Sequence, residues 1–382
     1  MKRLLTMGCL VTLFAACSPA GDEEAQEQDT GDESAPEQEP SGEAEESTPD
    51  MTEQENPSGT SSLSAETITS GLNVPWDVQV HQNSFYITER GGTIVHVNEE
   101  GDKQRQELEL SEPVAASGEG GLLGFQLAPD FEQSKKAWVY HTYEQNQSLA
   151  NRIVSVTLED GTWQENSTLI EDIPGGSIHN GGRLKLGPDD MLYATAGDAG
   201  NETAAQNRES KAGSILRMTQ EGGVPDDNPF EGSYIYSYGH RNPQGISWNE
   251  DGEMYSSEHG SNARDEINRI EAGANYGWPD ITGDESAENM RPPLIHSGSD
   301  TWAPSGSTFS ESGAFYVTGL RGTQLMRFDV ENETMDVVFS GEGRLRDVVQ
   351  HNGSQYVITN NTDGRGNPDE QDDLLLKLDE NS

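Results

Sequence analysis

A three-part unit recurs six times along residues 61–382, and nothing else in this chain narrows its fold as far. The first part alternates apolar residues and closes in a turn: Trp76-Asp-Val-Gln-Val, Gly124-Phe-Gln-Leu, Arg183-Leu-Lys-Leu, Gly245-Ile-Ser-Trp, Gly306-Ser-Thr-Phe and Arg346-Asp-Val-Val. The second usually sets an aromatic before a Thr or Ser: Phe85-Tyr-Ile-Thr, Trp138-Val-Tyr-His-Thr, Leu192-Tyr-Ala-Thr, Met254-Tyr-Ser-Ser, Phe315-Tyr-Val-Thr and Tyr356-Val-Ile-Thr. The third is a short alternating strand, running from Ile94-Val-His-Val in the first copy to Leu374-Leu-Leu-Lys-Leu in the last. First parts start about 54 residues apart on average, one sixth of residues 61–382. Period-2 strands broken by Gly, Asn and Asp turns, without a long helical pattern, predict an all-β fold, a six-bladed β-propeller of antiparallel sheets. A pair of sandwiches would leave the regular period without a cause. Leu63 to Ile68 is expected to pair with the last blade and close the ring.

The residues before the repeats read differently. Lys2 and Arg3, the apolar run Leu4 to Phe14, and Ala15-Ala16-Cys17 have the order of a lipoprotein export signal over residues 1–17, with Cys17 as lipid acceptor; the alternative is an ordinary signal peptide that contains Cys17. An exported, lipid-anchored protein facing the extracytoplasmic side of the cell envelope is the expectation, with the anchor its sole link to the membrane. Residues 18–60 contain no Lys, Arg or aromatic residue and read as an acidic disordered tether. The remainder, 61–382, is the propeller domain. Cys9 and Cys17 are the chain's two cysteines, so nothing downstream forms a disulfide or a thiolate metal site. A net charge of −45 excludes a nucleic-acid partner, because no basic face displaces phosphate counterions. Arg outnumbers Lys 16 to 7, and the acidity fits a surface adapted to high salt or simple solubility.

If the first part of each repeat is the inner strand, the residues just before it face one mouth of the central channel. Those segments are Ser117-Gly-Glu-Gly-Gly, Ser177-Ile-His-Asn-Gly-Gly, Tyr238-Gly-His-Arg-Asn-Pro-Gln, Asp300-Thr-Trp-Ala-Pro and Gly343-Arg-Leu-Arg. They gather Glu119, His179, Arg241, Asn242, Trp302, Arg344 and Arg346 about one axis. Three Arg converging in so acidic a chain point to an anionic ligand.

The same segments carry a resemblance. Gly120-Gly-Leu-Leu-Gly-Phe, His179-Asn-Gly-Gly-Arg-Leu, Gly197-Asp-Ala-Gly, Gly239-His-Arg-Asn-Pro-Gln-Gly, Glu258-His-Gly with Asp265-Glu-Ile-Asn, Asn275-Tyr-Gly-Trp-Pro and Arg344-Leu-Arg-Asp resemble, in order, the soluble quinoprotein glucose/sorbosone dehydrogenases, aldose sugar dehydrogenases among them. The resemblance implies a six-bladed propeller that binds pyrroloquinoline quinone (PQQ) and oxidises an aldose at its C1 hydroxyl to the lactone, passing electrons to an external acceptor such as a cytochrome, a quinone or a dye. It implies His179 as general base, Asp198 as its orienting acid, and Arg241 with Asn242 at the quinone edge. Arg321, Arg344 and Arg346 fall where the family clamps the PQQ carboxylates. Glu119 stands where relatives often carry Gln, setting an acid beside an anionic cofactor; a contact there requires Glu119 to be protonated or to reach a metal. Calcium (Ca2+) is expected on the backbone carbonyls of Gly260 and Ser261, since a hard cation takes oxygen ligands. Trp302 reads equally as a wall of the sugar pocket or as core.

Two other classes remain in view. A calcium-dependent lactonase-type hydrolase would line the channel with carboxylates and Asn but has no use for an Arg clamp. A non-catalytic binding propeller would lack the base or the Arg set.

Overall fold

The computed structural model describes residues 62–380. The export signal, Cys17 and the acidic tether lie outside the described residues. Five of the six repeats form a four-stranded antiparallel meander, and the sixth contributes three strands of its sheet. The innermost strands are Pro75–His81, Leu122–Leu127, Leu184–Leu186, Pro243–Trp248, Pro304–Phe309 and Leu345–His351, at the six places the repeat marks as first parts. The second strands, from Ser84–Glu89 to Ser354–Thr359, and the third, from Thr93–Val97 to Leu375–Glu380, likewise fall on the second and third parts. Each inner strand, with its hairpin partner, packs on the next unit, and Leu345–His351 packs back on Pro75–His81, so the blades form a closed β-propeller. Leu63–Thr69 supplies the outer strand of blade 6 by antiparallel pairing with Leu375–Glu380, the expected ring closure. Blades 1 and 2 are further joined edge to edge, Glu107–Glu109 running parallel to Thr162–Gln164.

The Thr or Ser that ends the second part has a structural reason. Thr88, Ser257 and Thr318 are buried and donate to main-chain carbonyls of the next inner strand, at Leu123 (2.8 Å), Ser305 (2.6 Å) and Arg346 (3.0 Å). A hydroxyl at that register stitches blade to blade where a methyl would leave a buried carbonyl unpaired. Glycine sits within several inner strands for a related reason. A methyl at Gly124 or Gly245 would strike the carbonyl oxygen of Gly182 or Ser305 on the neighbouring blade.

Apolar clusters fill the spaces between blades, the largest spanning Trp76, Trp138, Tyr140, Leu184 and Leu216. The axis is filled by charge. Fully buried Arg183 donates to Asp77 (2.7 Å), Asp347 (2.8 Å) and the Gln244 carbonyl (2.9 Å), beneath the Trp76 ring. This ion cluster ties blades 1, 3, 4 and 6 together and plugs the channel below the mouth.

Candidate active site

In a four-stranded meander, the segment before the first strand and the turn after the second emerge at the same end. The mouth is therefore built from two segments per blade. His179, Arg241 and Arg344 come from the first kind, with Arg346 at the start of the strand itself, and Asp198, Gly260, Arg321, Asp363 and Arg365 from the second.

His179 and Asp198 meet across blade 3. The His179 Nδ1 lies 2.7 Å from Asp198 Oδ1, which also accepts the Gly200 N–H (2.7 Å), while Asp198 Oδ2 accepts from Trp278 Nε1 (2.9 Å). Asp198 is buried, and burial alone would raise its pKa; the donors from His179, Gly200 and Trp278 outweigh that and hold it below the usual carboxylate range. An ionised Asp198 accepts only, so in the neutral ring Nδ1 carries the hydrogen and the lone pair is on Nε2. Main-chain φ at His179 is 55°, a left-handed conformation uncommon outside glycine.

Arg241 and Asn242 sit on a shared carboxylate: Glu258 Oε1 accepts both their backbone N–H groups, and Glu258 Oε2 lies 2.8 Å from Nδ1 of buried His240. Asn242 Oδ1 accepts the Gly181 N–H at 3.0 Å, tying the Arg241–Asn242 segment to the loop that carries His179. The Arg241 guanidinium lies over the Trp278 ring and donates to the Gly260 carbonyl at 2.7 Å. One of the two carbonyls expected to hold calcium is thus already taken by a cation, and Ser261 is exposed. Among the described residues no group of three or more His, Cys, Asp or Glu side chains is placed to hold a metal ion.

Arg346 and Glu119 line one pocket with Arg90, His259, Asp363 and Arg365. Arg344 borders it, donating to Asp363 at 2.8 Å and to the Leu320 carbonyl at 3.3 Å. Burial, together with the neighbouring Arg344, Arg90 and Arg183, pulls Arg346 down to about 9 against the opposing Asp363 carboxylate. It is still a cation at neutral pH, but one crowded by its own kind. His259 is pushed down to about 4 by burial, so it stands neutral. The buried Nε atoms of Arg90, Arg241 and Arg344, and Nε2 of His259, have no hydrogen-bond partner. Donors left bare around crowded cations form a cradle for a polyanion.

Other predicted residues sit differently. Arg321 follows the pocket residue Leu320 and is exposed. Trp302 is buried at 8% exposure in the apolar cluster with Tyr255, Phe315 and Phe328, so its indole is core and not a wall of the mouth. Glu119 does not meet the expected conditions for a cofactor contact. Burial would raise its pKa, but the His179 N–H and Arg365 hold it below the usual range, so it is ionised, and both oxygens are engaged within the protein. Sequence reasoning missed Arg90, His259, Trp278 and Arg365 as site residues. For His259 and Trp278 the available signal was their place inside the quoted motifs; Arg90 and Arg365 carried none.

The fold is that of the soluble quinoprotein sugar dehydrogenase class. The PQQ-bound aldose sugar dehydrogenase of Streptomyces coelicolor is 36% identical and superposes with a TM-score of 0.78 over 84% of this chain and 99% of that one. Aldose sugar dehydrogenase YliI of Escherichia coli is 29% identical over 339 residues, 79% of this chain and 91% of the relative. Quinoprotein glucose dehydrogenase B of Acinetobacter calcoaceticus is 33% identical over 233 residues, and the chain spans about half, 49%, of that relative's length. Residues 72–376 match the model of the family described as Glucose / Sorbosone dehydrogenase. The chain belongs to that family.

Proposed function

We propose that this protein is a PQQ-dependent aldose dehydrogenase, oxidising the sugar C1 hydroxyl to the lactone. The observation that carries the reading is the mouth itself: a histidine held through Nδ1 by an ionised aspartate, beside crowded guanidinium groups with bare donors. Those donors suit a tricarboxylate quinone, with Arg90, Arg344 and Arg346 as the residues to hold its carboxylates and Arg241 with Asn242 its reactive edge. When bound, PQQ supplies the two-electron, hydride-accepting centre. His179 Nε2 takes the hydroxyl proton, and Asp198 stabilises the imidazolium that forms and keeps the ring oriented. Trp278 and Gly200 hold Asp198 in turn, so the base is aligned before substrate arrives.

Arg241 donates to the Gly260 carbonyl, one of the two expected to hold calcium, so a calcium ion there would share that oxygen with a guanidinium. No step is assigned to it. The lactonase reading is weaker for a related reason: the mouth carboxylates Glu119 and Asp363 are each paired with an arginine, Arg365 and Arg344. Export, the lipid anchor at Cys17 and transfer of electrons to a separate acceptor belong to the same proposal, supported by the N-terminal signal and by a chain without a haem-attachment motif.

Dye reduction by the purified whole chain, over an aldose panel with and without PQQ and calcium, tests the reading. Turnover that requires PQQ supports it. No turnover, with no spectral change on titrating PQQ, overturns it, and indifference to chelation removes calcium alone.

A further inference from the structure

The His179 backbone is held by more than its own loop. Glu119 Oε2 accepts the His179 N–H at 3.0 Å, and Glu119 Oε1 accepts from Arg365 Nη1 at 2.9 Å. We propose that Glu119 and Arg365 form a clasp that positions the base, the carboxylate fixing the left-handed backbone at His179 and the guanidinium fixing the carboxylate. The inference rests on the reading of His179 as the base, and it makes Glu119 a positioning residue and not a cofactor ligand.

Four blades converge on this point. Arg90 of blade 1 donates to the Gly118 carbonyl at 2.7 Å, Glu119 of blade 2 donates its own N–H to the Ser177 carbonyl of blade 3 at 2.8 Å, and Arg365 arrives from blade 6. Gly118 packs so closely on Ser177 that any side chain there would strike its carbonyl. The two loops are therefore clasped twice, once through backbone and once through the Glu119 carboxylate. On the far side, the His179 carbonyl accepts the Ala199 N–H at 3.1 Å, and its ring is held by Asp198. Remove the carboxylate and the His179 N–H loses its acceptor while a disfavoured φ loses its restraint. The ring then samples other directions, and a misaimed base slows proton transfer without weakening the grip of the arginines on the cofactor. Glu119 is held ionised, as the clasp requires, by the two donors it serves.

The test follows the His179 amide in the whole chain, labelled with 15N-histidine and free of added PQQ, its signal assigned by loss in His179→Gln. Glu119→Ala is expected to move that amide proton upfield and to speed its hydrogen exchange by about tenfold or more. Glu119→Gln keeps an acceptor but loses the charge that binds Arg365, and is expected to move it less; Arg365→Met serves as the second probe of the clasp. With PQQ and an aldose, Glu119→Ala is expected to lose about tenfold or more in kcat, while the PQQ titration endpoint and the KM for sugar hold. An unmoved His179 amide in Glu119→Ala, or an unchanged kcat despite a moved amide, overturns the proposal. If Glu119→Ala does not fold, Glu119→Gln and Arg365→Met decide by the same two readouts. The amide experiment needs no turnover, so it stands or falls separately from the dehydrogenase reading.

Discussion

Replacing Asp198 by Asn changes one atom and should remove most of the catalysis. Three donors converge on the Asp198 oxygens, from His179, Gly200 and Trp278, at 2.7, 2.7 and 2.9 Å, and the carboxylate is buried. An amide has one acceptor oxygen and one NH2, so one donor must face another donor. If the NH2 faces Trp278, the His179 tautomer survives but the imidazolium loses its counter-charge. If it faces His179, Nδ1 must accept, the hydrogen moves to Nε2, and the base is lost. In the milder case, two unit charges about 4 Å apart at an effective dielectric constant of about 20 interact by about 4 kcal/mol. At about 1.4 kcal/mol per tenfold, that is a loss of about a thousandfold in kcat. The unmatched buried donor adds about 1–3 kcal/mol of lost stability, which a thermal melt reads separately. The assay is dye-linked turnover of the PQQ-loaded whole chain with a saturating aldose, paired with an absorbance titration of PQQ. A variant that retains kcat within a few-fold while binding PQQ would refute the reasoning, since no orientation of Asn preserves both tautomer and charge.

Three further outcomes follow from the same geometry. His179→Ala should lower kcat by about 10²–10⁴-fold while still giving the PQQ spectral change, because the base contributes to proton transfer and not to the arginine cradle. Arg183→Leu leaves Asp77 and Asp347 buried without a counter-charge and should cost about 3–5 kcal/mol by denaturant melts, with Asp77→Asn and Asp347→Asn added to it recovering part of the loss. Asp198 and Glu119 both titrate below their ordinary values, so their stabilisation is complete above about pH 4.5 and drains as pH falls through the lowered folded values; Tm between pH 6 and pH 3 should drop less in Glu119→Gln than in the parent chain.

The inner, second and third strands were legible because each must present alternating apolar residues to a neighbouring blade. The outer strands were not, since their outer faces meet water. Lys103–Glu109 buries only Gln106, and Ile295–His296 is two residues long, so neither leaves a period to read. The outer strand of blade 6, Leu63–Thr69, is anchored at its ends by buried Leu63 and Thr69 with four exposed residues in a row between them, so it too carries no alternation.

The same logic divides the site. Residues just before or at the start of inner strands inherit the register of the repeat, which is why Glu119, His179, Arg241 and Arg346 could be placed at one mouth from spacing alone. Turns after second strands vary in length from blade to blade and carry no register, so Arg365 and Arg90 became visible only through the contacts they make, at Glu119 and at the Gly118 carbonyl. Charge points the same way. In a chain of net charge −45, cations near the surface find carboxylates readily, as Arg327 does with Asp336. Arg344 and Arg346, 9% and 6% exposed at the mouth, have Asp363 as the nearby acid, paired to Arg344 alone. Keeping two guanidinium groups this far from water and this poorly matched by acid costs stability in the free protein, and a bound polyanion is what would recover it.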